Sequence, residues 1–99
     1  MIKMAHLFAW PDLDPQKHRA VLETPTISIT IVGNKDVDEA ANTAKRLVKE
    51  EGIQLIELCG GFGPVGTTKI IEAVGDEIPV ASVSYGFGIA AKAAELFKE

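Results

Sequence analysis

The sequence predicts a single small α/β domain, residues 1–99, with a four-stranded, mostly parallel sheet and helices on both faces. Segments typical of strands and of helices alternate from residue 26 onward, and right-handed β-α-β crossovers produce this order. Residues 53–59 are apolar apart from Gln54 and Glu57, as expected of a strand that helices cover on both faces. A length of 99 residues permits one domain with a modest core.

The first third of the chain is predicted to hold two strands and a short helix. Residues 4–9 form the first strand, which ends before Pro11 because proline cannot donate a ladder hydrogen bond. Asp14 followed by Pro15 is typical of a helix start and predicts a short helix over about residues 15–22. Residues 26–32 alternate β-branched and small polar side chains and predict the second strand.

The helix predicted over residues 36–51 has signals at both ends. Asp36 and Glu39 have the spacing of a capping box, and apolar residues then recur at helical intervals. Gly52 provides the left-handed residue that commonly ends a helix. The remaining elements are a third strand over residues 53–59, a helix from Gly63-Pro64 to Gly75, a fourth strand over residues 78–84 and a last helix over residues 89–98. A first strand beside the third would give a flavodoxin-like or half-Rossmann-like order.

The composition restricts the partners and the compartment. Fourteen acidic and ten basic residues give a net charge of −4, which disfavours nucleic acid and anionic membranes as partners. The sequence shows neither a cleavable leader nor an apolar run of about 18–20 residues, and Cys59 is the single cysteine. We therefore expect a cytoplasmic protein. His6, His18 and Cys59 lack the spacing of a recognised metal site, so no metal is expected.

Unusual residues cluster where the predicted strands end. Ligands of open parallel sheets bind beyond the carboxyl ends of the strands, since loops and helix N-termini meet there. Two glycine-rich loops, residues 59–64 and 84–88, follow the third and fourth strands and would present backbone N–H groups to an anion. The predicted ligand-binding residues are Gly60, Gly61, Phe62, Gly63, Trp10 and Tyr85. With Phe87, their aromatic side chains either line an apolar pocket or are covered by another subunit.

Residues 61–66 match the dinucleotide motif G-x-G-x-x-G, but their context argues against a dinucleotide. No Asp, Glu or Arg ends the fourth strand to bind a ribose or its phosphate, and Pro64 removes an N–H group that would face a pyrophosphate. A P-loop is disfavoured because Thr67 stands where lysine is required. No cofactor is therefore predicted. A smaller anion, a phosphate or a carboxylate, suits the loop, and the alternative is that the glycines serve only the turns.

Three residues have the composition of a catalytic group: Cys59 as nucleophile, His6 as base and Glu57 as the acid that orients it. Cys59 lies between a buried strand and a helix N-terminus, a position that favours the thiolate. Glu57 is expected to be buried and to need a partner, for which His6 is the first choice if the first and third strands are neighbours. The alternatives are an inert packed thiol and a structural hydrogen bond.

A basic run, Lys17-His18-Arg19, lies on the predicted short helix near the same sheet edge. Its side chains either form a solvated face or make a cationic cap over the site.

Two segments resemble those of a known group of proteins. Residues 14–19 contain Asp14-Pro15 and Lys17-His18-Arg19, and residues 56–64 read I-E-L-C-G-G-F-G-P. They resemble the D-P-x-K-H-R and I-E-L-C-G-G-F-G-P segments of a family of short, functionally uncharacterised prokaryotic proteins, over most of the chain from Met4 to about Val83. Because no activity is assigned to that family, the resemblance implies no role for any residue.

Two functions are consistent with these observations. The first is binding of a small anionic or carbonyl-bearing molecule, with or without catalysis, at residues 59–64. The second is a homo-oligomeric structural or interaction module without catalysis. A homo-oligomer is expected in either case because so small a sheet leaves an unpaired edge, and because the loop aromatics and the alanine-rich last helix suit self-association. A dimer is favoured, since two-fold symmetry is the commonest.

Overall fold

The computed structural model describes residues 1–86 and 89–97. Its strands are β1 (Ile2–Ala9), β2 (Arg19–Glu23), β3 (Ile27–Asn34), β4 (Leu55–Leu58) and β5 (Val80–Ser82), and its helices are α1 (Val37–Glu51), α2 (Gly63–Val74) and α3 (Ala90–Leu96). A 3-10 turn, Gly60–Phe62, joins β4 to α2. Among the helices of the described residues, none is long and apolar enough to cross a bilayer. Phe87 and Gly88 of the second predicted glycine-rich loop, and Lys98 at the end of the last predicted helix, lie outside the described residues.

The sheet is mixed, and in the described part of the chain it has five strands in the order β2-β3-β1-β4-β5. β1 pairs in parallel with β3 and β4, β5 pairs in parallel with β4, and β2 pairs antiparallel with β3. The first and third predicted strands, here β1 and β4, are neighbours, which is the condition on which the expected pairing of His6 with Glu57 depends. The α/β class is therefore confirmed, whereas the flavodoxin-like and half-Rossmann-like descriptions stay predictions.

β2 occupies residues for which the sequence predicts a helix. Asp14 does begin a turn, since its Oδ1 accepts a hydrogen bond from the Gln16 amide at 2.9 Å and its carbonyl accepts one from the His18 amide at 2.8 Å. The chain then becomes extended at Arg19 and runs antiparallel to β3. The predictions of a helix over residues 15–22 and of only four strands are wrong. Pairing with the edge of β3 stabilises the extended chain, whereas so short a helix is marginal by itself.

α1 begins and ends where the sequence predicts. The Asp36 Oδ1 accepts a hydrogen bond from the Glu39 amide at 2.8 Å, and the Glu39 carboxylate accepts one from the Lys35 amide at 2.7 Å. These bonds satisfy amides at the helix start that have no partner within the helix. Gly52 has a φ of 70°, the left-handed conformation that ends the helix.

The hydrophobic core lies on one face of the sheet, beneath α1 and α2. Alternate side chains of each strand point to this face because a strand has a period of two. The fully buried residues include Leu7, Val32, Ile56 and Leu58 from the strands and Ala40, Ala44, Leu47 and Ile70 from the helices. α1 and α2 contact each other and share this face. Of the described helices, α3 alone lies on the opposite face, where it stands across an open groove at one end, so this face is covered less than the prediction of helices on both faces implies.

Candidate functional site

An open groove of about 1020 Å³ lies at the carboxyl ends of the parallel strands, between the open sheet face and α3. Strands β1 and β3 and the turn after β4 form its floor, and the segment before β2 forms one side. The residues that line it include Trp10, Cys59, Gly60, Gly61 and Tyr85, all of which the sequence places at a site. A groove of this size can hold a small organic molecule.

The walls of the groove are largely apolar. The rings of Trp10 and Phe97 have their centroids 5.6 Å apart and are tilted by 58°, an arrangement that aromatic pairs prefer. Phe8 lines the floor and is partly exposed to the groove. Opposite it, Ala93 and Ala94 of α3 have side chains too small to fill the space between helix and sheet. The groove therefore offers apolar surface to the body of a ligand.

The turn after β4 supplies backbone donors to the groove. A Cβ atom on Gly60 would lie 3.0 Å from Cε2 of Tyr85, so this ring approaches the backbone as closely as glycine allows. Gly60 and Gly61 open the 3-10 turn, where the first N–H groups have no acceptor within the turn. These two amides can therefore donate hydrogen bonds to a bound oxygen atom.

The rim of the groove is basic. Lys17, His18 and Arg19 all line it, and its lining within residues 1–86 and 89–97 contains no Asp or Glu. The His18 Nδ1 accepts a hydrogen bond from the Asp14 amide at 2.9 Å, so the proton of the neutral ring lies on Nε2. This local excess of basic groups contrasts with the net charge of −4 of the whole chain.

An ion pair with Glu51, near the end of α1, holds the Arg19 side chain. Arg19 Nη1 donates a hydrogen bond to Glu51 Oε2 at 2.9 Å, and Nη2 donates a second one to Oε1. The hydrogen bond lowers the pKa of Glu51 and raises the pKa of Arg19, because it favours the charged form of each group. Since Glu51 balances the charge of Arg19, Lys17 is the rim group whose charge attracts an anion, and His18 Nε2 can donate a hydrogen bond to it.

His6 and Glu57 lie side by side on the open sheet face, because they are register partners on the neighbouring strands β1 and β4. His6 Nδ1 is 3.5 Å from Glu57 Oε1, and the His6 ring lies against Phe8 with centroids 4.8 Å apart. The Glu57 side chain is 46% exposed. The expectation that Glu57 is buried is wrong, because no described helix covers this part of the sheet. Neither residue belongs to the described groove lining, so they do not meet Cys59 there.

Phe62 and Gly63 lie outside the described groove lining. Phe62 is 5% exposed and belongs to the core. A 3-10 turn rotates each successive side chain by about a third of a circle, so Phe62 points inward while Gly60 faces the groove. Gly63 has a φ of 62°, which favours glycine at the start of α2. The expectation that Phe62 lines the pocket is therefore corrected.

Several groove residues escaped the sequence prediction. Ala20 and Ile31 are register partners on β2 and β3, and both line the floor. Leu13 lies over Gly33, where an added Cβ atom would come within 2.9 Å of the leucine side chain. The alternation in residues 26–32 does indicate which face Ile31 occupies. Ala20 could be placed only once β2 was known to be a strand.

The donors in the groove suit an anion better than a metal ion. Among the residues that the structure describes, no three His, Cys, Asp or Glu side chains are grouped to hold a metal. The described lining offers one thiol, Cys59, and one imidazole, His18, whereas a zinc site commonly uses three or four protein ligands. Amides and basic side chains are the groups that bind carboxylates and phosphates.

Residues 2–98 match the model of a family of unknown function (DUF6506). Neither the curated proteins nor the solved structures give a significant match.

Proposed function

The chain belongs to this family of unknown function, DUF6506, and we propose that it binds a small organic molecule with an apolar body and an anionic or carbonyl group. The observation that carries the proposal is the charge of the groove. In an acidic chain, the described groove lining has no carboxylate and has three basic side chains, of which Arg19 is paired with Glu51 and Lys17 and His18 are not. An anion is attracted to such a site, and other negatively charged surfaces of the chain repel it.

The polar group of the ligand has donors at two places. Gly60 and Gly61, whose amides open the 3-10 turn, lie on one side of the groove, and Lys17 and His18 line its rim. Hydrogen bonds from these groups to a carboxylate are charge-assisted and each contributes about 1.5–3 kcal/mol. A neutral carbonyl oxygen can accept from the same amides. Hydrocarbon parts of the ligand are expected to contact Phe8, Trp10 and the α3 alanines.

The proposal is for binding and does not include a reaction. Cys59 lies in the groove, but the His6–Glu57 pair lies outside the described lining. An activated thiol needs a base within about 2.6–3.2 Å, and the described lining offers only His18 as an imidazole.

Trp10 allows a direct test, because it is the only tryptophan in the chain and lies in the groove. Octanoate, octanone and octanol share an apolar body and differ in the polar group. We expect octanoate to change Trp10 fluorescence saturably, and the uncharged octanol to bind at least about tenfold more weakly than octanoate, since one charge-assisted hydrogen bond is worth more than about 1.4 kcal/mol. Saturable binding of octanone would show that a carbonyl oxygen is sufficient. Absence of a saturable change with all three compounds would refute the proposal.

Two alanines of α3 provide matched variants. Ala94→Phe fills the groove, whereas Ala91→Phe adds the same ring at an exposed position outside the described lining. We expect the first to abolish octanoate binding and the second to preserve it. Protection of Cys59 from a thiol reagent by octanoate gives a second readout that does not depend on fluorescence. Equal binding by both variants would contradict the assigned position of the ligand.

A further inference from the structure

The two edges of the sheet, in the described part of the chain, differ in how well they are protected. β5 forms one edge, is three residues long and follows directly after Pro79, so it offers little backbone to another strand. β2 forms the other edge with five residues, Arg19–Glu23, and contains neither proline nor lysine. All five of these residues are exposed. β2 is therefore the edge beside which a further strand can pair.

Alternate residues of β2 direct their backbone groups away from β3. The His18 carbonyl accepts a hydrogen bond from β3 at 2.8 Å, and the Thr24 amide donates one to the first residue of β3, also at 2.8 Å. Bonded pairs alternate in an antiparallel ladder, so the even-numbered residues bond to β3. The N–H and C=O groups of Arg19, Val21 and Glu23 point outward. Within residues 1–86 and 89–97, none of these six groups has a hydrogen-bond partner.

We propose that two copies of the chain form a dimer through β2, in an antiparallel pair whose two-fold axis passes between Val21 and the partner's Val21, perpendicular to the sheet. Arg19 then lies opposite the partner's Glu23, and Glu23 lies opposite the partner's Arg19. All six outward groups of each chain enter bonded pairs, and six hydrogen bonds join two sheets into one. Other registers leave some of these groups without a partner in the second β2.

The charges at the two ends of β2 complement each other in this register. Among the described residues, Glu23 forms no ion pair. Arg19 uses two of the five N–H groups of its guanidinium for Glu51, so further donors can reach the partner's Glu23. Opposite charges on directly paired residues stabilise an antiparallel ladder. The edge is therefore complementary to itself in charge, as a two-fold interface requires.

The apolar side chains of β2 also gain partners. Val21 is 50% exposed and would contact the partner's Val21 on the face of the sheet that bears α1. On the groove side, Leu22 is 61% exposed and would lie beside the partner's Ala20. Ala20 lines the floor of the groove, so the partner's Leu22 would extend that floor past the edge of a single sheet. The pairing itself concerns the β2 edge and does not depend on what the groove binds.

The helices leave room for this pairing. A two-fold axis perpendicular to the sheet keeps each face on its own side, so the helices of the two protomers lie beside each other and not between two sheets. α1 packs over β1 and β3 and is set back from the β2 edge. α3 stands at the carboxyl end of β3, and because the paired strands are antiparallel, the two α3 helices lie toward opposite ends of the shared edge.

The shared edge is short. Five residues of about 3.3 Å each give a contact about 17 Å long, which is smaller than a standard protein interface. We therefore expect a reversible dimer whose population depends on protein concentration.

Sedimentation equilibrium from micromolar to millimolar concentration is the first test. We expect the native protein to approach twice the chain mass as its concentration rises, and Val21→Thr, which keeps the amide and a β-branched side chain, to do the same. Val21→Pro removes both hydrogen bonds at the axis and should weaken self-association by about tenfold or more. The Val21 amide does not bond to β3, so Val21→Pro retains the fold, which circular dichroism checks. A native protein of single-chain mass throughout, or equal association of the two variants, overturns the proposal.

Disulfide cross-linking tests the register. In a Cys59→Ser background, two copies of Val21→Cys lie opposite each other with Cα atoms about 5.5 Å apart, within the range that a disulfide bridges. Two copies of Glu23→Cys, the control, lie four residues apart along the strands, about 13 Å, which is too far. We expect mild oxidation to give a covalent dimer of the first variant and little of the second. Absence of cross-linking at position 21, or equally fast cross-linking at position 23, overturns the assigned axis.

Discussion

At the scale of single residues, a buried polar contact joins the end of β3 to α1. Thr43 Oγ1 donates a hydrogen bond to Asn34 Oδ1 at 2.6 Å, and Asn34 Nδ2 donates to the Phe8 carbonyl at 3.2 Å. Asn34 is fully buried and Thr43 nearly so. This contact ties β1, β3 and α1 together beneath the groove, because each polar atom has its partner inside the protein.

We expect Thr43→Val to destabilise the protein by about 1–3 kcal/mol, because it leaves the buried side-chain oxygen of Asn34, Oδ1, without a hydrogen-bond donor. Thr43→Ser keeps the hydroxyl, removes one methyl group and should cost about 1 kcal/mol or less. The free energies of unfolding of both variants can be measured in urea. Equal losses for the two variants would show that packing, and not the hydrogen bond, is what Thr43 contributes.

The Arg19–Glu51 pair should make a small contribution to stability that depends on pH. The pKa of Glu51 is lowered in the folded protein by its hydrogen bond to Arg19, so the contribution is present above the usual carboxyl pKa and is lost as the pH falls through the folded value. Both side chains are more than a third exposed, which limits the pair to below about 1 kcal/mol. We expect the difference in unfolding free energy between the native protein and Glu51→Gln to shrink as the pH falls below the usual Glu pKa of about 4.3, and to vanish only once the pH is below the lowered pKa of the folded protein. Glu50→Gln is the control, and a similar pH-dependent loss in it would contradict the assignment.

At the scale of elements, β2 depends on its pairing with β3. The Thr24 amide donates to the Ile27 carbonyl and the Gly33 amide donates to the His18 carbonyl. Because bonded pairs alternate in an antiparallel ladder, the Leu22 amide points toward β3 and the Val21 amide points outward.

Proline substitution distinguishes these two positions. We expect Leu22→Pro to lower the free energy of unfolding by at least about 1 kcal/mol, because it removes a ladder hydrogen bond, and Val21→Pro to cost clearly less. Urea unfolding of the two variants measures the difference. If Val21→Pro is as damaging as Leu22→Pro, the register of β2 against β3 is not the one described.

At the scale of the whole molecule, the two faces of the sheet have different roles. One face packs under α1 and α2 and forms the hydrophobic core, whose burial drives folding. The other face has the groove at its carboxyl end and the bare apolar surface at its amino end. Ala94 lies in the first region and Ile2 in the second, so the Ala94→Phe variant that probes ligand binding leaves the bare apolar surface unchanged.

The sequence by itself determined the elements whose signals are local. The cap at Asp36 and the stop at Gly52 bound α1, and Gly63-Pro64 and Gly75 bound α2. These signals act within one turn of the chain and therefore need no knowledge of the rest of the fold. The same reasoning brought Trp10 and Tyr85 to one edge of the sheet, since parallel strands end together.

Only the tertiary structure decided which residues those elements meet. Asp14-Pro15 does begin a turn, but the free edge of β3 makes residues 19–23 a strand, because ladder bonds between segments outweigh the weak preference of so short a helix. Phe62 turns into the core because α2 and the sheet bury it there. The far wall of the groove comes from α3, which begins more than 50 residues after the end of β3. Such an arrangement depends on the packing free energy of distant segments, which a local sequence pattern does not reveal.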